Sequence, residues 1–139
     1  MSSPHRLADA RVVAATSLAP RQVAELVAGL ASAEPTVAAA VRLVDGHDGR
    51  LRFAIRMFRD TAETMSFHVD VLPDGTGSRV RSKIDTYTTT QEKLFMLVPI
   101  GPRQMVSYPV YKLFMNAVRE SLGAADPRAE ISIVEVEQS

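Results

Sequence analysis

Apolar and polar side chains alternate along three successive stretches of this chain. Residues 50–58 set Leu51, Phe53, Ile55 and Met57 on one side and Arg50, Arg52 and Arg56 on the other. Residues 64–72 set Met65, Phe67, Val69 and Val71 against Ser66, His68 and Asp70. Residues 78–88 set Val80, Ser82, Ile84 and Thr86 against Arg79, Arg81, Lys83 and Asp85. A period of two marks a half-buried strand, and three such runs in a row predict antiparallel hairpins with one oily and one charged face. Residues 37–45 give a strand ahead of them across the turn Gly46-His47-Asp48-Gly49, and Pro73-Asp74-Gly75-Thr76-Gly77 turns the chain again. Residues 10–18 read as a first strand. Residues 91–100 carry apolar side chains on both parities, which predicts a fifth meander strand covered on both faces, with Pro99 at an edge or an end.

Two stretches follow the helical period instead. Pro20 suits a first helical turn, and Val23, Leu26, Val27 and Leu30 recur at helical spacing until about Ser32, with Pro35 preventing continuation. The run Gly101 to Pro127 predicts one long helix, with Pro102 at its start and Pro109 as a kink or a second start capped by Ser107. Val110, Leu113, Phe114, Ala117, Val118 and Leu122 make its apolar stripe, and Gly123 is placed just past its end. Residues 130–136 read as a last strand with Ile131, Ile133 and Val136 inward. The predicted fold class is α+β: a curved antiparallel sheet gripping a long C-terminal helix, with a short helix after the first strand. One domain spans residues 1–139, with a loose start over 1–8 and a tail or extra strand over 128–139.

Composition narrows the chemistry. Sixteen basic residues balance sixteen acidic ones, so no general electrostatic pull draws the chain to nucleic acid or an anionic membrane. Without cysteine there is no disulfide, thiolate nucleophile or Cys-based zinc site. The N-terminus lacks the apolar core of a signal peptide, and Leu94–Gly101 is far short of the roughly 20 residues that span a bilayer. The expectation is a cytoplasmic protein, with no nucleic-acid partner and no membrane insertion. His5, His47 and His68 do not converge, so no metal is expected, and no motif calls for a cofactor. The basic ladder of Arg50, Arg52, Arg56, Arg79, Arg81 and Lys83 reads as a solvated outer face with cross-strand pairing, ahead of an anion-binding patch. Ser82, Thr86 and Thr88 share the inward face with Val80 and Ile84, and small hydroxyls in an apolar concavity are the composition of a ligand pocket.

Leu18-Ala19-Pro20-Arg21-Gln22-Val23 through Leu30, and Tyr111-Lys112-Leu113-Phe114 through Leu122 followed by Ala124-Ala125-Asp126-Pro127, resemble segments of the START-like helix-grip superfamily. This superfamily is also called polyketide cyclase/dehydrase, or SRPBCC. The element order is similar as well. The chain departs from it in having no tryptophan, in reading Ala33-Glu34-Pro35-Thr36 where an aromatic-rich segment is usual, and in the tail after Pro127. The resemblance implies a container for an apolar ligand and assigns no catalytic residue.

Three functional readings follow. The first is a binding protein, without demonstrable catalysis, for a small apolar molecule held between the sheet and the last helix. Its lining candidates are Phe53, Ile55, Phe67, Val69, Ile84, Thr86, Tyr108, Tyr111, Phe114 and Met115, with Tyr108, Tyr111 and Thr86 orienting a polar end. The second is a cyclase or hydrolase using the same cavity, with Tyr111 or Asp85 as acid or base. The third is a homodimeric interaction module pairing through residues 130–136 or 94–98.

Overall fold

A computed structural model describes residues 7–32, 39–57, 63–94, 98–105 and 107–135. In chain order the elements are β1 (Arg11–Thr16), α1 (Pro20–Ser32), β2 (Ala39–His47), β3 (Arg50–Met57), β4 (Glu63–Asp74), β5 (Gly77–Tyr87), β6 (Thr89–Leu94), β7 (Val98–Met105), α2 (Tyr108–Ala125) and β8 (Glu130–Val134). Six strands form one antiparallel sheet in the order β2-β3-β4-β5-β1-β8. The architecture is α+β, with the second helix C-terminal.

The alternation read from the sequence translates directly into burial. Phe53 and Ile55 on β3, Met65, Phe67, Val69 and Val71 on β4, and Val80, Ser82 and Ile84 on β5 are all buried. They share one core with Val12 and Ala14 of β1, Val23 and Val27 of α1, and Tyr111, Phe114, Met115, Val118 and Leu122 of α2. Each large apolar side chain taken from water contributes about 1.5–3 kcal/mol, so this layer supplies most of the driving force. Both helices therefore pack into the same core, and the second does not close it alone. The side chain of Met57 and the position of Val136 lie outside the described residues.

The last helix is shorter than the sequence implied. Residues 98–105, expected to be strand end and early helix, form β7 instead and pair with β6 as a separate two-stranded ribbon. The single strand expected over 91–100 is thus a hairpin, and it is not a fifth member of the meander. Pro99 and Pro102 both lie in β7; in a two-stranded ribbon each strand has an open edge, where a missing N–H is tolerated. The helix begins at Tyr108 with Pro109 in its first turn and Ser107 at the cap position, so the second start is the one used. It runs through Gly123 to end at Asp126, and Leu113, expected in its buried stripe, is exposed.

The turns explain the register. Asp48 and Gly49 carry φ of 52° and 80° between β2 and β3, the left-handed pair that a two-residue hairpin requires. The loop is two residues long rather than the four of Gly46–Gly49. Gly77 has a different reason to be glycine: a Cβ there would stand 2.1 Å from the backbone oxygen of Thr16, where β1 lies against β5. Gly77→Ala is expected to force the two strands apart and cost about 1–3 kcal/mol, the usual range for overpacking. An unchanged urea midpoint would contradict that close approach.

Candidate functional site

The helix-facing layer gathers the predicted lining residues. The Phe53 and Phe67 rings stack with centroids 5.1 Å apart, and Phe114 from α2 lies 4.9 Å from Phe53 and 5.0 Å from Phe67. Tyr111 meets Phe67 edge-on at 4.9 Å. Such pairs add about 0.5–1.5 kcal/mol beyond the area they bury. Ile55, Val69, Ile84, Tyr108 and Met115 belong to the same core.

Thr86 does not. The β4–β5 register passes from Ser66↔Thr86 to Phe67↔Ile84, leaving Asp85 as an extra residue. A bulge of one residue reverses the parity beyond it, so Thr86 turns to the outer face, where its hydroxyl lies 2.6 Å from that of Ser66. Thr88 is exposed too, which leaves Ser82 as the buried member of the hydroxyl set.

The remaining polar groups of the layer are engaged with one another. Tyr111 donates its phenol proton to the Ala10 carbonyl at 2.9 Å, Ser82 Oγ lies 2.7 Å from the phenol oxygen, and the Val12 amide donates to Ser82 Oγ at 2.9 Å. Burial pushes the Tyr111 phenol up to about 12, so it stays protonated at neutral pH. Tyr108 donates to Glu135 at 2.7 Å, and Lys112 reaches the same carboxylate at 3.2 Å. The three hydroxyls expected to orient a ligand thus each have a protein partner. Sequence reasoning missed a further pair. Where β4 meets the start of α2, the Ser107 hydroxyl, which makes no helix cap, meets that of Thr64, both of them buried. Thr64 is the extra residue of a second bulge between β3 and β4, and it also donates to the Ile55 carbonyl at 3.3 Å. Among the described residues no buried side-chain nitrogen or oxygen lacks a partner.

The outer face also differs from expectation. His68 points outward, yet it is only 6% exposed, because Asp85 and Asp70 cover it. Its Nδ1 lies 2.9 Å from both oxygens of Asp85; a carboxylate only accepts, so Nδ1 carries a proton. Asp85 itself is exposed on this face, as its place in the alternation implied, so it offers no inward acid or base. Several rungs of the basic ladder are paired: Arg50 with Asp70 at 2.8 Å, Arg52 with Asp45 at 3.8 Å and Arg79 with Asp74 at 3.5 Å. No group of three or more His, Asp or Glu side chains among the described residues is placed to hold a metal ion. No described helix is long and apolar enough to cross a membrane.

One carboxylate ties the end of α2 to the end of β1. Asp126 Oδ2 accepts from the Thr16 hydroxyl at 2.8 Å, the Ser17 amide at 2.9 Å and the Ser17 hydroxyl at 3.0 Å, and Oδ1 accepts from the Arg128 amide at 3.1 Å.

Compared with known proteins, the chain matches no family model, no curated protein and no solved structure.

The Ser17 amide and the Thr16 hydroxyl, the two largest influences, hold Asp126 at about 2 against an ordinary 3.8. A depressed carboxylate stabilises the fold above its unfolded value and loses that contribution as pH falls through its folded value. The stability of the protein is therefore expected to fall between about pH 4 and pH 2, and Asp126→Asn to flatten that part of the curve. Urea midpoints across this window check it; parallel curves for the two proteins would show that the carboxylate is not held as described.

Proposed function

We propose that this chain is a non-catalytic binding protein for a small apolar molecule, seated between a curved sheet and α2 in a START-like helix-grip arrangement. The observation that carries this reading is the aromatic clamp of Phe53, Phe67 and Phe114, which joins α2 to β3 and β4 in one apolar layer. Apolar walls with a few fixed polar groups are what a small-molecule site needs. The layer continues to Ile55, Met65 and Met105, beside the start of α2 and the end of β7.

Two further features support it. The β6–β7 ribbon is hydrogen-bonded as its own small sheet, so displacing it breaks no rung of the six-stranded one. Met65, Met105 and Met115 line the core near α2, and unbranched thioether side chains repack at little cost. In this reading a guest takes its place by turning Phe114 aside, and the Thr64 and Ser107 hydroxyls meet its polar end.

The test is titration of the purified protein with Nile red, an uncharged dye, together with native mass spectrometry. One dye bound per chain is expected, with Phe114→Trp weakening binding about tenfold, or 1.4 kcal/mol, in a variant that urea unfolding shows to be still folded. A folded protein that takes up no dye and carries no retained small molecule would refute the container.

A further inference from the structure

On the side of the sheet turned away from both helices, Arg50, His68, Asp70, Arg81, Lys83 and Asp85 line an open groove of about 390 Å³. Its two carboxylates are already engaged. Asp70 holds Arg50 through Nε at 2.8 Å and Nη2 at 3.3 Å, and Asp85 accepts from His68 Nδ1 at 2.9 Å. His68 Nε2 lies 3.5 Å from Asp70 as well. Arg81 and Lys83 are different: both are exposed, and neither has an ion-pair partner among the described residues. They stand two positions apart on β5, a separation of about 7 Å, directly across from Asp70 and His68. Arg50, Arg81 and Lys83 against Asp70 and Asp85 leave the groove at +1 before His68 is counted. The whole chain is balanced at sixteen against sixteen, so this excess is local.

We propose that this groove binds a phosphomonoester, with Arg81 and Lys83 as its direct charged contacts and Arg50, fixed by Asp70, as the third cation. A compact, doubly charged anion takes most from several fixed cations, and a guanidinium fork matches phosphate oxygens. The groove's size is that of a small-ligand site. No Phe, Tyr or Trp lines it and the His68 ring is buried behind Asp70 and Asp85, so the stacked bases of a nucleic acid find no exposed platform. The phosphomonoester belongs either to a free metabolite or to a lipid headgroup. The site is independent of the apolar layer, so uptake of an uncharged dye neither supports nor weakens it.

The experiment titrates the full chain with inorganic phosphate at constant ionic strength, chloride replacing phosphate in the control, and follows backbone amide resonances. Saturable shifts centred on residues 50, 68, 81 and 83 are expected. Arg81→Gln and Lys83→Gln should each weaken binding about tenfold. Arg21→Gln, which breaks an exposed pair with Glu25 on α1, should leave it unchanged. Phosphatidylcholine vesicles containing phosphatidic acid separate the two sources: co-sedimentation that phosphate blocks assigns the lipid headgroup, and its absence beside saturable shifts assigns the free ligand. Shifts that do not saturate, shifts reproduced by chloride, or equal co-sedimentation with phosphatidylglycerol vesicles would each overturn the site in favour of plain charge attraction.

Discussion

A phenol, one serine hydroxyl and two backbone groups fix the second helix on the sheet. The chain of hydrogen bonds from the Val12 amide through Ser82 and Tyr111 to the Ala10 carbonyl joins β1, β5 and α2 across wide separations in sequence. Ring contacts around Phe67 and Phe114 supply more energy, but hydrophobic contact is non-directional and tolerates a rotated or shifted helix. The phenol does not. Turning α2 by one residue would strand several buried polar groups, each at about 1–3 kcal/mol. Burial stabilises the layer, and this chain of bonds selects one placement within it.

That placement sets the two faces apart. Toward the helices, the described polar groups are satisfied by other parts of the protein, leaving an apolar layer whose edge polarity comes from Thr64 and Ser107. Away from the helices, the strands carry a lattice of charges in which Asp70 and Asp85 are engaged while Arg81 and Lys83 have no ion-pair partner among the described residues. Asp126 completes the frame at the far end of α2, where the side chain and backbone at Thr16 and Ser17 converge on one carboxylate. An apolar guest and an anionic ligand would therefore use opposite sides of one sheet and would not compete for side chains.

Much of this was legible in local pattern. Phe67, Val69 and Val71 are buried because strand geometry sends every second side chain to the same face, a rule that needs no knowledge of partners. Pro102 shows where local reading ends: proline is tolerated both in a first helical turn and on an open strand edge, so only the pairing of β7 with β6 decides between them. Thr86 was misplaced because nothing in the alternation announces the extra residue at Asp85. Alternation puts His68 on the outer face, but its burial there depends on two carboxylates, Asp70 on its own strand and Asp85 on the next, that only the register brings over it. Asp126 stands where the helical pattern and Pro127 end a helix, yet its Thr16 and Ser17 partners lie about 110 residues earlier in the chain.

The central claim is that Tyr111 and Ser82 act as one unit in seating α2. A double-mutant cycle of Tyr111→Phe and Ser82→Ala, read from urea unfolding, tests it most directly. A coupling of about 1–2 kcal/mol between the two sites is predicted, within the range seen for residues sharing a buried hydrogen-bond network. Additivity to within about 0.5 kcal/mol would mean that the two hydroxyls act separately, and that ring packing alone holds the helix in place.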